Sequence, residues 1–188
     1  MEIRPRLGDI VAERAGRLPT KRGAGPRHLA LHPNRGFLYL ISETTDTIGA
    51  YAVEPETGTL KELQFVDALP SDFKEQPAVA DLHVTPDGRF LYGSERKTST
   101  LAGYRIDPEK GTLSPIGHFW TEKTPRGFNI DPRGRFLLLV GLDSNAMTVY
   151  RIDPQSGALT ALKQYPVAVS RISKTRSPQT HAALAPHI

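Results

Sequence analysis

The sequence predicts an all-β fold, built from a four-stranded unit that occurs three times. Three observations lead there. Landmark residues recur in step: Pro33, Pro86 and Pro132, then Tyr51, Tyr104 and Tyr150, then Gly58, Gly111 and Gly157, each set spaced by 53 and then 46 residues. Between the landmarks, β-branched and aromatic runs alternate with Gly/Pro turns, and the chain carries 16 Gly and 16 Pro, a pattern of short strands. No segment sustains the 3.6-residue apolar period of a helix. Four-stranded repeats of ~40–50 residues are the pattern of β-propeller blades. One such sheet cannot bury both faces alone, but packed radially between two neighbours it can.

In the first unit, the strands are expected at His28–His32, Phe37–Ser42, Ile48–Val53 and Thr59–Val66. Pro33-Asn34-Arg35-Gly36 turns the first into the second, and Glu54-Pro55-Glu56-Thr57-Gly58 turns the third into the fourth, both with ordinary turn residues. The second unit reads DLHVTPDGRFLYGSERKTSTLAGYRIDPEKGTL and the third GFNIDPRGRFLLLVGLDSNAMTVYRIDPQSGAL. Seven extra residues fall between Leu60 and Asp81. Blades therefore occupy residues 23–167, about three to four in number. Residues 1–22 are an irregular segment or the remnant of a preceding blade, and residues 168–188 form an atypical tail. Both ends are expected to pack poorly beside the blades. Trp120 closes a fourth strand and is expected to pack between blades, and His32, ahead of Pro33, reads as a turn residue. Asp87, Asp107, Asp131 and Asp153 recur beside turns and read as structural.

At 188 residues the chain is the size of one domain, and 38% hydrophobic residues are enough for a core. The net charge of +4 sits in the ends. The first 24 residues and the last 23 each carry a net of +3, and the stretch between carries −2. The blades have no basic stripe, which argues against a nucleic-acid partner. No apolar run approaches the ~20 residues of a membrane span, and the N-terminus has no secretory h-region. With no cysteine there is neither a disulfide framework nor a thiolate metal site. These features fit a cytoplasmic protein.

Antiparallel pairing places the start of a blade's first strand beside the end of its second. Arg27 precedes the first strand and Glu43 follows the second, so the two share one end of the blade. Asp81 and His83 open the second unit, with Glu95 and Arg96 after its second strand. Arg126 opens the third, with Asp143 after its second strand. All are expected on one face, near the axis, with Arg126 across the mouth from Arg27 and Glu43.

Several of these segments carry a resemblance. Gly25-Pro26-Arg27-His28, Ser42-Glu43, Thr85-Pro86-Asp87-Gly88-Arg89-Phe90-Leu91-Tyr92 and Pro125-Arg126-Gly127-Phe128-Asn129 are similar to motifs of the cytoplasmic seven-bladed 6-phosphogluconolactonase family, which also includes fungal cis,cis-muconate lactonising enzymes. The resemblance runs from about Gly23 to Val167. It implies a seven-bladed ring of which this chain is a C-terminal part, holding about three blades. It implies hydrolysis of 6-phospho-D-glucono-1,5-lactone to 6-phosphogluconate, the second step of the oxidative pentose phosphate pathway, with a phosphorylated sugar lactone as the small-molecule partner and no cofactor. The chain departs from the family after Val167 and lacks a histidine-containing motif of an earlier blade. A partial chain of this kind is expected to turn over little or no substrate alone.

Lactone hydrolysis needs an activated water and positive charge where the oxyanion develops, and a phosphate suits the arginine fork. By resemblance, Arg27, Glu43 and Arg126 match active-site positions. Glu43 is the candidate general base or water-orienting group, and Arg27 and Arg126 are candidates for the oxyanion or the phosphate. His28, His83 and Arg96 are candidate substrate contacts, His83 standing equally as a core histidine. The ETTDT and DSN segments invite comparison with calcium-dependent lactonases, but their acidic spacing does not support a metal. The alternative function is a non-catalytic propeller fragment or interaction module.

Overall fold

The computed structural model describes residues 18, 20, 22–69 and 73–167. The expectations for the tail, for almost all of residues 1–22 and for the centre of the seven-residue insertion lie outside them. Twelve strands form three sheets among the described residues. Blade one holds β1 (Pro26–Leu31), β2 (Phe37–Ser42), β3 (Thr47–Val53) and β4 (Leu60–Asp67). Blade two holds β5 (Val79–Val84), β6 (Phe90–Glu95), β7 (Thr100–Ile106) and β8 (Leu113–Trp120). Blade three holds β9 (Pro125–Ile130), β10 (Phe136–Gly141), β11 (Ala146–Ile152) and β12 (Leu159–Pro166). Every sheet is an antiparallel meander in chain order. The first strands β1, β5 and β9 touch one another in sequence, as the inner strands of radially arranged blades do.

Alternation along the strands builds two cores. Tyr39, Ile41, Ile48 and Ala50 of blade one meet Leu82, Leu91, Tyr104 and Ile106 of blade two. Phe90, Tyr92 and Leu101 of blade two meet Phe128, Leu137, Leu139 and Tyr150 of blade three. Blade two is thus buried on both faces, and β6 has no exposed residue. The far faces of blades one and three are open, with Leu29 62% exposed and Leu31, Val140 and Leu142 also exposed.

The repeat includes a joint between blades. The Tyr39 hydroxyl donates to the Gly111 carbonyl of blade two at 3.1 Å, and the Tyr92 hydroxyl donates to Gly157 of blade three at 2.7 Å. Phe37 and Phe90 lie against the same two glycines. His32 belongs to this seam as well as to its turn: it is buried, with Nε2 2.9 Å from the Gly88 carbonyl and Nδ1 accepting from the Asn34 N–H. Asp87, Asp107, Asp131 and Asp153 accept hydrogen bonds from turn N–H groups, the structural role expected of them.

Trp120 corrects the sequence reading: it is 81% exposed and does not pack between blades. The β7–β8 pairing carries a bulge at Gly103/Tyr104, which shifts the phase of the strand end. Phe119 takes the inward position against blade three, and the indole is turned outward.

Asp46, in the β2–β3 turn, is buried enough to have its pKa pushed up to about 7. Burial is the main cause, reinforced by the charges of Asp67 and Glu95 and opposed by the Leu69 N–H, which donates to Oδ2 at 2.8 Å. Oδ1 is buried without a hydrogen-bond partner. A carboxyl whose pKa is raised on folding destabilises the native state as pH climbs from its unfolded value towards the folded one. Asn tolerates the φ of 55° found here. Asp46→Asn is therefore expected to stabilise the protein by roughly 1–2 kcal/mol at pH 8 and by almost nothing at pH 4, read from thermal unfolding at the two pH values.

Candidate functional site

The loops that carry the charged residues lie at one end of the blades. The Glu43 N–H donates to the Gly25 carbonyl at 2.8 Å, so the chain entering β1 lies beside the chain leaving β2. Arg96 to Ala78 and Leu142 to Thr124 repeat that bond in blades two and three. Each first strand is also bulged against its second at this end. A bulge inserts one residue and re-aims its side chain.

In blade one the inserted residue is Arg27. Its Nε donates to the Ala80 carbonyl of blade two at 2.7 Å, and its Nη1 donates to Glu43 Oε2 at 3.0 Å. Arg96, from the matching loop of blade two, donates from Nη2 to Glu43 Oε1 and from Nε to the Ala78 carbonyl at 2.9 Å. Glu43 therefore holds one guanidinium on each oxygen, from two blades. Burial pulls its pKa upward, but the hydrogen bonds and charges of Arg27 and Arg96 outweigh this and leave it below the usual carboxylate value. An ionised carboxylate with both oxygens engaged is a weak proton acceptor.

Asp81 forms a second centre beside the first, one residue after Ala80. Its carboxylate gathers groups from all three blades. His28 Nδ1 of blade one lies 3.0 Å from Oδ1. His83 Nε2 of blade two lies 3.2 Å from Oδ2, and the Phe128 N–H of blade three donates to the same oxygen at 3.1 Å. The Leu82 N–H donates to Oδ1 at 2.9 Å. Burial raises the Asp81 pKa, but the His83 hydrogen bond and charge and the two N–H donors more than reverse it, so the carboxyl titrates below its ordinary value. The His83 ring stands edge-on to Phe128, centroids 4.8 Å apart, so it serves packing and polar contact together. The His28 side chain is 46% exposed, and among the described residues its Nε2 has no protein partner. The histidines bracket the carboxylate, and no three His, Asp or Glu side chains among the described residues converge as metal ligands would.

Of the residues singled out from sequence, the structure brings Arg27, Glu43 and Arg96 into one cluster and His28 and His83 into the other. Arg126 occupies the position in blade three that Arg27 holds in blade one. It lines an apolar groove of about 400 Å³ with Val140, Leu142 and Val167, and it makes no ion pair among the described residues. A second cleft, of about 390 Å³, carries Arg96, Lys97, Lys123 and Asp143. Glu95 lies at this end too, but its carboxylate is consumed by the Ala78 and Thr98 N–H groups. The sequence places Asp81 on this face but gives it no role, because its partners come from three separate units. The one local signal is Asp81-Leu82-His83: alternate strand residues share a face, which puts an acid beside an imidazole.

Comparison with known proteins agrees with this architecture. The family described as a seven-bladed β-propeller lactonase matches residues 7–173. The 6-phosphogluconolactonase of Pectobacterium carotovorum subsp. carotovorum (strain PC1) is 40% identical over 123 residues, which cover 65% of this chain and 37% of that protein. The 6-phosphogluconolactonase of Serratia proteamaculans (strain 568) is 41% identical, with the same coverage. The chain thus spans 37% of the length of these curated relatives. Among solved structures, the periplasmic gluconolactonase PpgL of Pseudomonas aeruginosa superposes with a TM-score of 0.75 at 33% identity, covering 80% of this chain and 42% of that one.

Proposed function

The chain belongs to the family of seven-bladed β-propeller lactonases, and on that premise we propose that its blades supply part of a site hydrolysing 6-phospho-D-glucono-1,5-lactone to 6-phosphogluconate. The observation that carries this reading is the Glu43 carboxylate held between Arg27 and Arg96 at the mouth of the blades, beside a half-exposed His28. Attack on a lactone carbonyl builds negative charge on its oxygen, and the substrate brings a phosphate. Guanidinium groups serve both by charge and by paired donors. Glu43 holds two of them in place, Arg126 adds a third from blade three, and His28 and His83 contact the sugar. The substrate itself is taken from the relatives that bear the name 6-phosphogluconolactonase.

The reading is tested by titrating the chain calorimetrically with 6-phosphogluconate, the reaction product, and with D-gluconate. Saturable binding that favours the phosphorylated acid is expected. Arg96→Met should weaken it about tenfold or more, the scale of a lost charged hydrogen bond. No binding of 6-phosphogluconate, or the same affinity for both acids, overturns the reading.

A further inference from the structure

We propose that His28 is the proton acceptor of this site and that Asp81 is its positioning residue. The inference rests on the lactonase reading above and names a group which that reading leaves open. Four observations support it. Each oxygen of Glu43 already accepts a guanidinium proton, from Arg27 and from Arg96, and those two positive charges make the carboxylate a poor proton acceptor. His28 Nδ1 lies 3.0 Å from the Asp81 carboxylate, an ion-pair contact rather than an aligned hydrogen bond, and the negative charge of this acceptor-only group favours a proton on Nδ1. That tautomer leaves the Nε2 lone pair free, on a ring open to solvent, in the arrangement of a base oriented by a third group. His83 is the weaker candidate, since its Nε2 is bound to Asp81 and its ring is set against Phe128.

The chemistry balances with water alone. Nε2 takes a proton from water as the water oxygen bonds to the lactone carbonyl carbon, giving a tetrahedral oxyanion and an imidazolium. The oxyanion collapses, the bond from that carbon to the ring oxygen breaks, and the imidazolium returns its proton to the departing ring oxygen as a hydroxyl. The new carboxylic acid releases one proton to solvent. Asp81 stabilises the imidazolium while its other oxygen stays on His83 and Phe128, which hold three blades in register around the base.

The test uses the 188-residue chain labelled with ¹⁵N in its imidazoles. At pH 7.5 the His28 spectrum should show a protonated Nδ1 and an unprotonated Nε2, and saturating 6-phosphogluconate should move the Nε2 resonance. Asp81→Asn should lose the Nδ1–H preference in the same spectrum, whereas a merely structural role for Asp81 would leave the His28 tautomer unchanged. Any hydrolysis of 6-phospho-D-glucono-1,5-lactone above the spontaneous rate should fall ~10²–10⁴-fold in His28→Gln and recover in part when imidazole is added to His28→Ala. Product binding that leaves His28 Nε2 unmoved, a proton on Nε2 in the unsubstituted chain, or hydrolysis retained by His28→Gln overturns the inference alone. Absence of any product binding overturns the lactonase reading and the catalytic role with it.

Discussion

Gly111→Ala is expected to cost about 3 kcal/mol or more of unfolding free energy, and Gly157→Ala a similar amount, whereas Gly58→Ala should cost only about 1. All three glycines close the turn between the third and fourth strands of a blade, and all have a positive φ, between 67° and 76°. An L side chain is strained in that conformation wherever it stands. The difference lies in what a Cβ would meet. At Gly111 it would come within 2.3 Å of the Phe37 ring, and at Gly157 within 2.6 Å of Phe90. At Gly58 nothing lies within 4 Å. The aromatic ring cannot retreat, because each phenylalanine packs in the seam between blades and the neighbouring tyrosine hydroxyl is bonded to the same glycine's carbonyl. Overpacking a filled interface adds roughly 1–3 kcal/mol to the backbone strain. Urea denaturation of the three variants checks this, and a Gly111→Ala midpoint equal to that of Gly58→Ala would show that the joint between blades is soft.

Glu95→Ala should be more damaging still, by about 3–5 kcal/mol, enough to unfold the blades of a marginally stable domain. The carboxylate is 1% exposed and accepts from the Ala78 N–H at 2.7 Å, the Thr98 N–H at 2.6 Å and the Thr98 hydroxyl at 2.9 Å. Removing it leaves two part-buried backbone donors without their protein partner, each costing about 1–3 kcal/mol, on top of the cavity. Glu95→Gln keeps the shape but offers one acceptor oxygen and turns an amide N–H₂ towards donors, so an intermediate loss is expected. The same pair of variants reports on function. The Ala78 carbonyl anchors Arg96 through both its backbone N–H and its Nε, so a displaced Ala78 frees Arg96 from Glu43. Glu95→Gln should therefore weaken 6-phosphogluconate binding as well as lower the urea midpoint. A loss of stability with unchanged binding would detach the two.

Within a blade, much was legible in the chain. The strand starts and stops follow from the turns at Pro33-Asn34 and Glu54–Gly58, and the first strand differs from its expected start only because Pro26 and Arg27 extend it through the bulge. Arg27 beside Glu43 follows from hairpin geometry alone. Trp120 was not legible, since a single bulge reverses which of Phe119 and Trp120 faces the neighbouring blade.

The sequence by itself determined the three blades, their strand order and the end of each blade at which the charges gather. Those properties depend on local causes: two-residue alternation, turn residues and antiparallel pairing across a few residues of chain. Docking between blades, in contrast, brings Arg96 to Arg27 on Glu43 and gathers His28, His83 and the Phe128 N–H on Asp81. Those partners are 47–53 residues apart in the chain, except for the Asp81–His83 pair on one strand. Their distances are set by the seams between sheets, where Phe37 and Phe90 wedge against glycine and inserted residues re-aim the side chains, and no periodicity within one blade encodes how the next one docks.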